Sequence, residues 1–234
     1  MGEMVRRATG SASYTELVTR EIFEPLGMMN TRMGAPNQWT DRMVPIVAKF
    51  PDGGWLTKAD IEVMQEIVIE GAGWFQTLYE WSLLLISRLI EMPWVGAVST
   101  AHDISRFAEM LRRKGELDGK RLISPAMLDL ATTLQTGTSP NNLYAMMSVA
   151  RNWQIPPANI GLGFGLSGTG THPTFFGSLT SPRTHGNYGA GSTLFWVDPE
   201  RNITFSCLTS GVMEESENVL RFARLSNLAI SAAT

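Results

Sequence analysis

The sequence predicts an α+β fold, an antiparallel sheet flanked by helices, with helices first and a strand meander closed by a helix last. Three observations carry this expectation. Capped segments with helical apolar spacing recur through the first half of the 234 residues. Two β-rich runs, "STLFWV" and "ITFSCLTS", flank Asp198-Pro199-Glu200-Arg201-Asn202 near the end. The final stretch, "ESENVLRFARLSNLAISA", returns to helical spacing. Segregated helices and strands point away from a parallel βαβ sheet. The chain reads as a single domain over 1–234, mostly helical over 1–150, with the meander and last helix over 151–234.

The first clearly punctuated helix is "SYTELVTREIFEPLG". Ser13 and Glu16 have the spacing of a capping box, Leu17, Val18, Ile22 and Phe23 share a face, and Pro25 with Gly27 ends it. From Met28 to Gly73, Pro36, Pro45, Pro51 and Gly53-Gly54 break the pattern into a looping excursion. The dense apolar stretch Trp74 to Ile90 is expected to be helical. In "STAHDISRFAEMLRRKG" Thr100 caps, Asp103 sits in the first turn and Gly115 closes. "ELDGKRLI" is a hairpin, because Asp118-Gly119 suits a two-residue turn with positive φ. In "SPAMLDLATT" Ser124 caps and Pro125 takes the first helical position. A Pro/Asn-rich stretch then leads to strands, of which "IGLGFGLS" is the first candidate. In "ITFSCLTS", Ile203, Phe205 and Cys207 face one way and Thr204 and Ser206 the other. Val219, Leu220, Phe222, Leu225 and Leu228 form the covering stripe of the last helix.

Composition narrows the function. Hydrophobic residues are 44%, charged residues 18% and the formal net charge is −3, with no long Lys/Arg run. Nothing here draws the chain to nucleic acid or to an anionic membrane. Cys207 is the sole cysteine, so no internal disulfide forms, and His102, His172 and His185 lack metal-ligand spacing. No metal or other cofactor is expected. The most apolar stretch, "LYEWSLLLISRLIEM", is interrupted by Glu80, Arg88 and Glu91 and falls short of the roughly 20 apolar residues a spanning helix needs.

Taken together, "YTELVTREIFEPLGMMNTRMG", "STAHDISRFAEMLRRKGELDGKRLISP" and "NYGAGSTLFWVDPE" resemble the serine β-lactamase and penicillin-binding-protein family, in its class C-like esterase branch. In that family three motifs meet at one site: S-x-x-K, Y/S-x-N, and a K-T-G or H-x-G on a strand. Counting back from Trp196 places the third motif on Asn187-Tyr188-Gly189. A rival register, His185-Gly186-Asn187, keeps the family's histidine, making His185 a possible site residue, but loses its third-place glycine. The resemblance implies that Asn187, Tyr188 and Gly189 form a substrate-binding edge, with the Ala190 N–H as an oxyanion-hole donor. Asn187 stands where the family carries Lys or His.

The attacking group is not in the sequence. None of Lys49, Lys58, Lys114 or Lys120 lies three places after a serine, and no tyrosine begins a Y-x-N triplet. Ser139-Pro140-Asn141 and Ser216-Glu217-Asn218 match S-x-N in the wrong order, and no G-x-S-x-G elbow occurs. The resemblance therefore implies a C-terminal portion of a longer serine hydrolase, with the N-terminal part of the fold missing and nucleophile and base upstream of Met1. Such an enzyme takes small-molecule esters, amides or β-lactams. The alternative is a catalytically inactive module of the same fold that binds a ligand or partner. Three lesser features have plain readings: Gly161-Leu162-Gly163-Phe164-Gly165 as strand, not phosphate loop; His102 as an exposed or capping first-turn residue; and Cys207 as a small buried hydrophobe. Trp74, Phe75, Tyr79 and Trp81 could line an acyl pocket.

Overall fold

A computed structural model describes residues 2–44, 47–49, 55–56, 96–189 and 192–233 of the protein. They fall into two compact units, Met1–Asp103 with Ser210–Val212, and Ile104–Thr209 with Met213–Thr234. The expected helix over Trp74–Ile90 and the aromatic residues within it lie outside the described residues.

In the first unit, α1 (Gly2–Thr9) and α2 (Tyr14–Val18) form the helical part. The Ser13 hydroxyl accepts the Glu16 N–H at 2.9 Å, and the Glu16 carboxylate accepts the Ala12 N–H at 2.9 Å. This closes the expected capping box, with its return arm one residue early. Beyond Val18 the helix widens into a π-helical turn over Thr19–Phe23, and the Glu24 N–H reaches the Thr19 carbonyl. Pro25 has no N–H and crowds the carbonyl four residues back, which the wider turn relieves. Leu17, Val18 and Phe23 are buried as expected.

Short strands β1 (Arg32–Met33), β2 (Val47–Lys49), β3 (Trp55–Leu56) and β4 (Ala97–Val98) follow. β1 pairs with β4 and β2 with β3, both antiparallel. The two-residue strand Gly211–Val212 adds to β2 in parallel. Asp103, 1% exposed, accepts the Asn30 N–H and the Thr31 hydroxyl, each at 2.8 Å. Helix α3 (Ala101–Arg112), whose first turn belongs to this unit, is capped by Thr100, which accepts the Asp103 N–H at 3.2 Å.

The second unit is built on a four-stranded antiparallel sheet. Its strands are β7 (Gly165–Leu166), β8 (His185–Gly189), β9 (Thr193–Asp198) and β10 (Ile203–Leu208), in spatial order β10-β9-β8-β7. The β5 (Glu116–Leu117) and β6 (Lys120–Arg121) hairpin turns at Asp118 and Gly119, with φ of 50° and 75°. Ser124 caps α4 (Pro125–Ala131) by accepting the Met127 N–H.

Helix α5 (Asn142–Arg151) is not anticipated by the sequence, because Pro140, Pro156 and Pro157 bracket a segment whose buried stripe, Tyr144, Met147 and Ser148, includes a polar residue. "IGLGFGLS" is strand only at Gly165–Leu166. Residues 161–164 make a turn closed by the Gly161 N–H on the Phe164 carbonyl, with Gly163 at φ 84°. Cys207 is half-buried, packing with Ile203 and Phe205 against the core.

The two faces of this sheet bury different partners. On one face Phe195 meets Phe107 of α3 edge-on at 5.6 Å. On the other, Leu194 and Trp196 join Tyr144, Met147, Phe175, Phe176, Val219, Phe222 and Ile230 in one core. Helix α6 (Glu215–Ala233) supplies the last three of these residues. The expected stripe holds at Val219 and Phe222. Leu228, however, is exposed, and Ser226 is buried in its stead. Ser226 Oγ accepts the Trp196 indole N–H at 3.0 Å and donates to the Phe175 carbonyl at 2.9 Å, so a polar residue satisfies two buried groups that leucine would leave orphaned.

Candidate functional site

Strand β8 holds the residues that the sequence singles out, and its pairing is unequal on its two sides. Toward β9 it is paired throughout, from His185↔Val197 to Gly189↔Thr193. Toward β7 only His185 and Gly186 are paired, opposite Leu166 and Gly165. Among the described residues, Asn187, Tyr188 and Gly189 have no strand on that side.

Backbone groups alternate along an antiparallel strand, which fixes what this free edge offers. The Gly189 carbonyl turns toward β9, where it accepts the Ser192 N–H at 2.9 Å. The Thr184 carbonyl points the other way, to the Ser167 N–H at 2.8 Å. Tyr188 has the parity of Thr184, so its N–H and C=O face the unpaired edge. An extended ligand can add there as a further strand. Ala190, the donor expected from the sequence, lies outside the described residues.

The side chains divide by face. Asn187 is exposed, and its Nδ2 donates to the Gly163 carbonyl at 2.7 Å. Asn187 thus holds the 161–164 turn against the strand. Tyr188 lies on the opposite face, stacked on Phe175 at 3.7 Å between ring centroids, while Phe175 meets Tyr144 edge-on at 6.1 Å. Burial, with the negative charge of Glu215, pushes the Tyr188 phenol far above its ordinary range, so it stays protonated.

His185 is 5% exposed and packs edge-on to Phe164 at 5.6 Å. Its Nδ1 lies 3.2 Å from the Arg183 carbonyl, which fixes the proton there, and its Nε2 is buried without a partner. Burial lowers its pKa. The imidazole therefore lies on the same face of the strand as Asn187, covered there by Phe164.

A Cβ on Gly189 would lie 2.7 Å from the Thr193 hydroxyl, a movable group. On Gly186 it would run into the Phe195 carbonyl oxygen and lie 2.7 Å from the Trp196 Cα, which cannot move. Within the chain itself, then, Gly186 is demanded by strand packing and Gly189 is not.

Two residues that sequence reasoning missed shape the surroundings. Asp198, fully buried, accepts the Ser181 N–H at 2.8 Å, the Ser181 hydroxyl at 2.7 Å and the N–H groups of Glu200 and Arg201 at 3.1 and 3.0 Å. Although burial opposes ionisation, these donors and the Arg201 charge keep its carboxyl below the usual range. The W-V-D-P pattern carried that signal. Glu215, in the first turn of α6, has a buried Oε2 without a partner, and burial together with the Glu214 charge raises its pKa to about 7. No local pattern in the sequence indicates this.

His102 is exposed, with Nδ1 3.3 Å from an Asp103 oxygen. Among the described residues no group of three or more His, Cys, Asp or Glu could hold a metal ion, and no helix is long and apolar enough to cross a membrane.

The family model for beta-lactamase matches residues 1–229. The chain belongs to the beta-lactamase family. No curated protein matches it significantly in sequence. Among solved structures it is similar to a beta-lactamase from Mycobacterium bovis, at 21% identity and a TM-score of 0.61, covering 100% of this chain and 61% of that one. A penicillin-binding protein homolog from Caulobacter crescentus matches at 21% identity and a TM-score of 0.61, with 98% and 55% covered. EstCE1, a hydrolase with promiscuous acyltransferase activity, matches at 15% identity and a TM-score of 0.59, with 96% and 53% covered. The beta-lactamase fold of helices and antiparallel sheet is common to all three. This chain spans between half and three-fifths of their length.

Proposed function

We propose that this chain forms the substrate-edge part of an acyl-serine hydrolase for small esters, amides or β-lactams, a single β-lactamase-related domain whose serine and base come from a segment outside these 234 residues. The observation that carries the reading is the edge of β8 at Asn187–Gly189, unpaired among the described residues, on the hairpin that enters W-V-D-P. The names of the similar structures, a beta-lactamase and a hydrolase with acyltransferase activity, support the reaction class.

In this reading the acyl group lies along the edge, bonded to the Tyr188 backbone, with its carbonyl oxygen at the Ala190 N–H. The serine attacks, the leaving group departs with a proton from the base, and water then hydrolyses the acyl-serine. An oxyanion donor of this kind is worth about 3–4 kcal/mol in the transition state, but it stabilises a charge that the serine must first create. The chain alone should therefore take up no fluorophosphonate label and hydrolyse no nitrophenyl ester. Adding a segment that carries S-x-x-K and Y-x-N should produce both activities. Stoichiometric labelling of the 234 residues alone would overturn this assignment.

The absence of any nucleophile–base pair in the sequence favours a second reading, an inactive binding module. Continued inactivity after complementation, with the chain folded, would select it.

A further inference from the structure

Glu215 sits in the wrong company for a carboxylate. Its Oε2 is buried and unpartnered. It lies one helical turn before Val219, so it shares the face of α6 that packs on Tyr144, Phe175 and Tyr188. On that face Phe175 is stacked on Tyr188 and edge-on to Tyr144, with Tyr144 only 6% exposed. Both phenols feel its negative charge.

Arg151, which reaches this end of α6, is engaged elsewhere. Arg151 donates Nε to the Ser216 hydroxyl at 2.7 Å, and its Nη2 lies 3.7 Å from Glu214 and 3.9 Å from Glu217. Glu214 itself caps α6, accepting the N–H groups of Ser216 and Glu217. Of the three carboxylates Glu214, Glu215 and Glu217, only Glu215 has a buried oxygen without a partner, and it has neither an ion pair nor a hydrogen-bond donor among the described residues.

We propose that the half-buried Glu215 and Tyr188, backed by the core rings of Phe175 and Tyr144, form a binding site for an alkylammonium group. A carboxylate supplies the opposite charge, and aromatic faces supply the cation–π attraction that a weakly hydrated cation takes up on leaving water. A neutral ligand of the same shape gains neither. The two phenols remain protonated, so they offer rings and hydroxyl oxygens without a competing negative charge. This site stands independently of the acyl-transfer reading, since binding here needs no serine.

The test is titration of the whole chain with tetramethylammonium and, separately, with uncharged tert-butanol, at constant ionic strength, followed by calorimetry and by the ring proton signals of Tyr144 and Tyr188. The cation should bind at least tenfold more tightly than the alcohol and shift both rings. Glu215 must be ionised to bind it, and its raised pKa of about 7 makes the affinity rise about tenfold from pH 6 to pH 8. Glu214, Glu217 and Arg151 also face this end of α6, and their charges do not account for a midpoint near neutrality. Glu215→Gln should abolish the preference for the cation, and Tyr188→Phe should keep most of it. Should the Gln variant fail to fold, the pH dependence of the wild-type affinity decides alone. Equal affinity for the two probes, no binding of either, or affinity independent of pH overturns the site.

Discussion

Ser181 gives Asp198 both its backbone N–H, at 2.8 Å, and its hydroxyl, at 2.7 Å, inside a fully buried pocket. The two residues are 17 positions apart, and the contact anchors the segment that enters β8 to the end of β9. Ser181 and Thr184 precede the strand, and Asp198 ends the one beside it, so the start of the candidate edge is pinned from its neighbour.

Asp198→Ala should therefore destabilise the fold by about 3–5 kcal/mol, because five donors, the Arg201 guanidinium among them, lose a buried acceptor at once. Asp198→Asn keeps the shape and one acceptor oxygen and should recover part of the loss. Urea unfolding of the three proteins measures this. An Ala variant within 1 kcal/mol of wild type, on the scale of an exposed contact, would show that the pocket is dispensable.

His185 gives stability a dependence on acid. Its folded pKa lies below the ordinary histidine value, chiefly through burial, so the unfolded chain binds the proton more readily. Its contribution is complete above about pH 6.5, the ordinary histidine value, and declines as the pH falls below it. His185→Gln should flatten the fall in unfolding free energy between pH 7 and pH 5. An unchanged slope would assign the acid sensitivity to other groups.

Glu215 works in the opposite sense. Its folded pKa, about 7, exceeds the ordinary glutamate value of 4.5, so the folded state holds its proton over that interval and stability declines as the pH rises from 4.5 to 7. Glu215→Gln should raise stability at pH 8 by about 2 kcal/mol and leave it nearly unchanged at pH 4. Thermal melts at both pH values separate this from a general packing effect, which would shift both alike.

The two strand glycines should separate cleanly. Gly186→Ala drives a methyl group into backbone and should cost about 3 kcal/mol. Gly189→Ala displaces only the Thr193 hydroxyl and should cost about 1 kcal/mol or less, recoverable in part by Thr193→Ala. In a complemented, active assembly, Gly189→Val should lower kcat/KM by about tenfold or more through obstruction of the edge, with His185→Ala less harmful. Equal activity of Gly189→Val and wild type would remove Gly189 from the proposed site while leaving the fold assignment intact.

Features set by neighbouring residues were the ones legible in the sequence. Thr100, Ser124 and the Asp118-Gly119 turn act within three or four positions, and each stands where its chemistry predicts. Features satisfied at a distance were not. Ser226 replaces an expected apolar residue because Trp196 and the Phe175 carbonyl, 30 and 51 positions away, need a hydroxyl. "IGLGFGLS" alternates like a strand, yet glycine's freedom at positive φ lets residue 163 turn the chain instead. The strand bearing the candidate edge was legible from its β-rich neighbours. The direction of the Asn187 side chain was not, since its partner lies 24 residues back.

That Asn187–Gly163 contact places a nitrogen opposite a carbonyl oxygen. Aspartate has the same outline, but it would set two oxygens against each other where one must donate. Spontaneous loss of the amide nitrogen during ageing, a change nearly invisible to size or shape, would turn this clasp into a repulsion and free the turn from the strand. The shelf life of the edge is thus tied to the chemical lifetime of one amide.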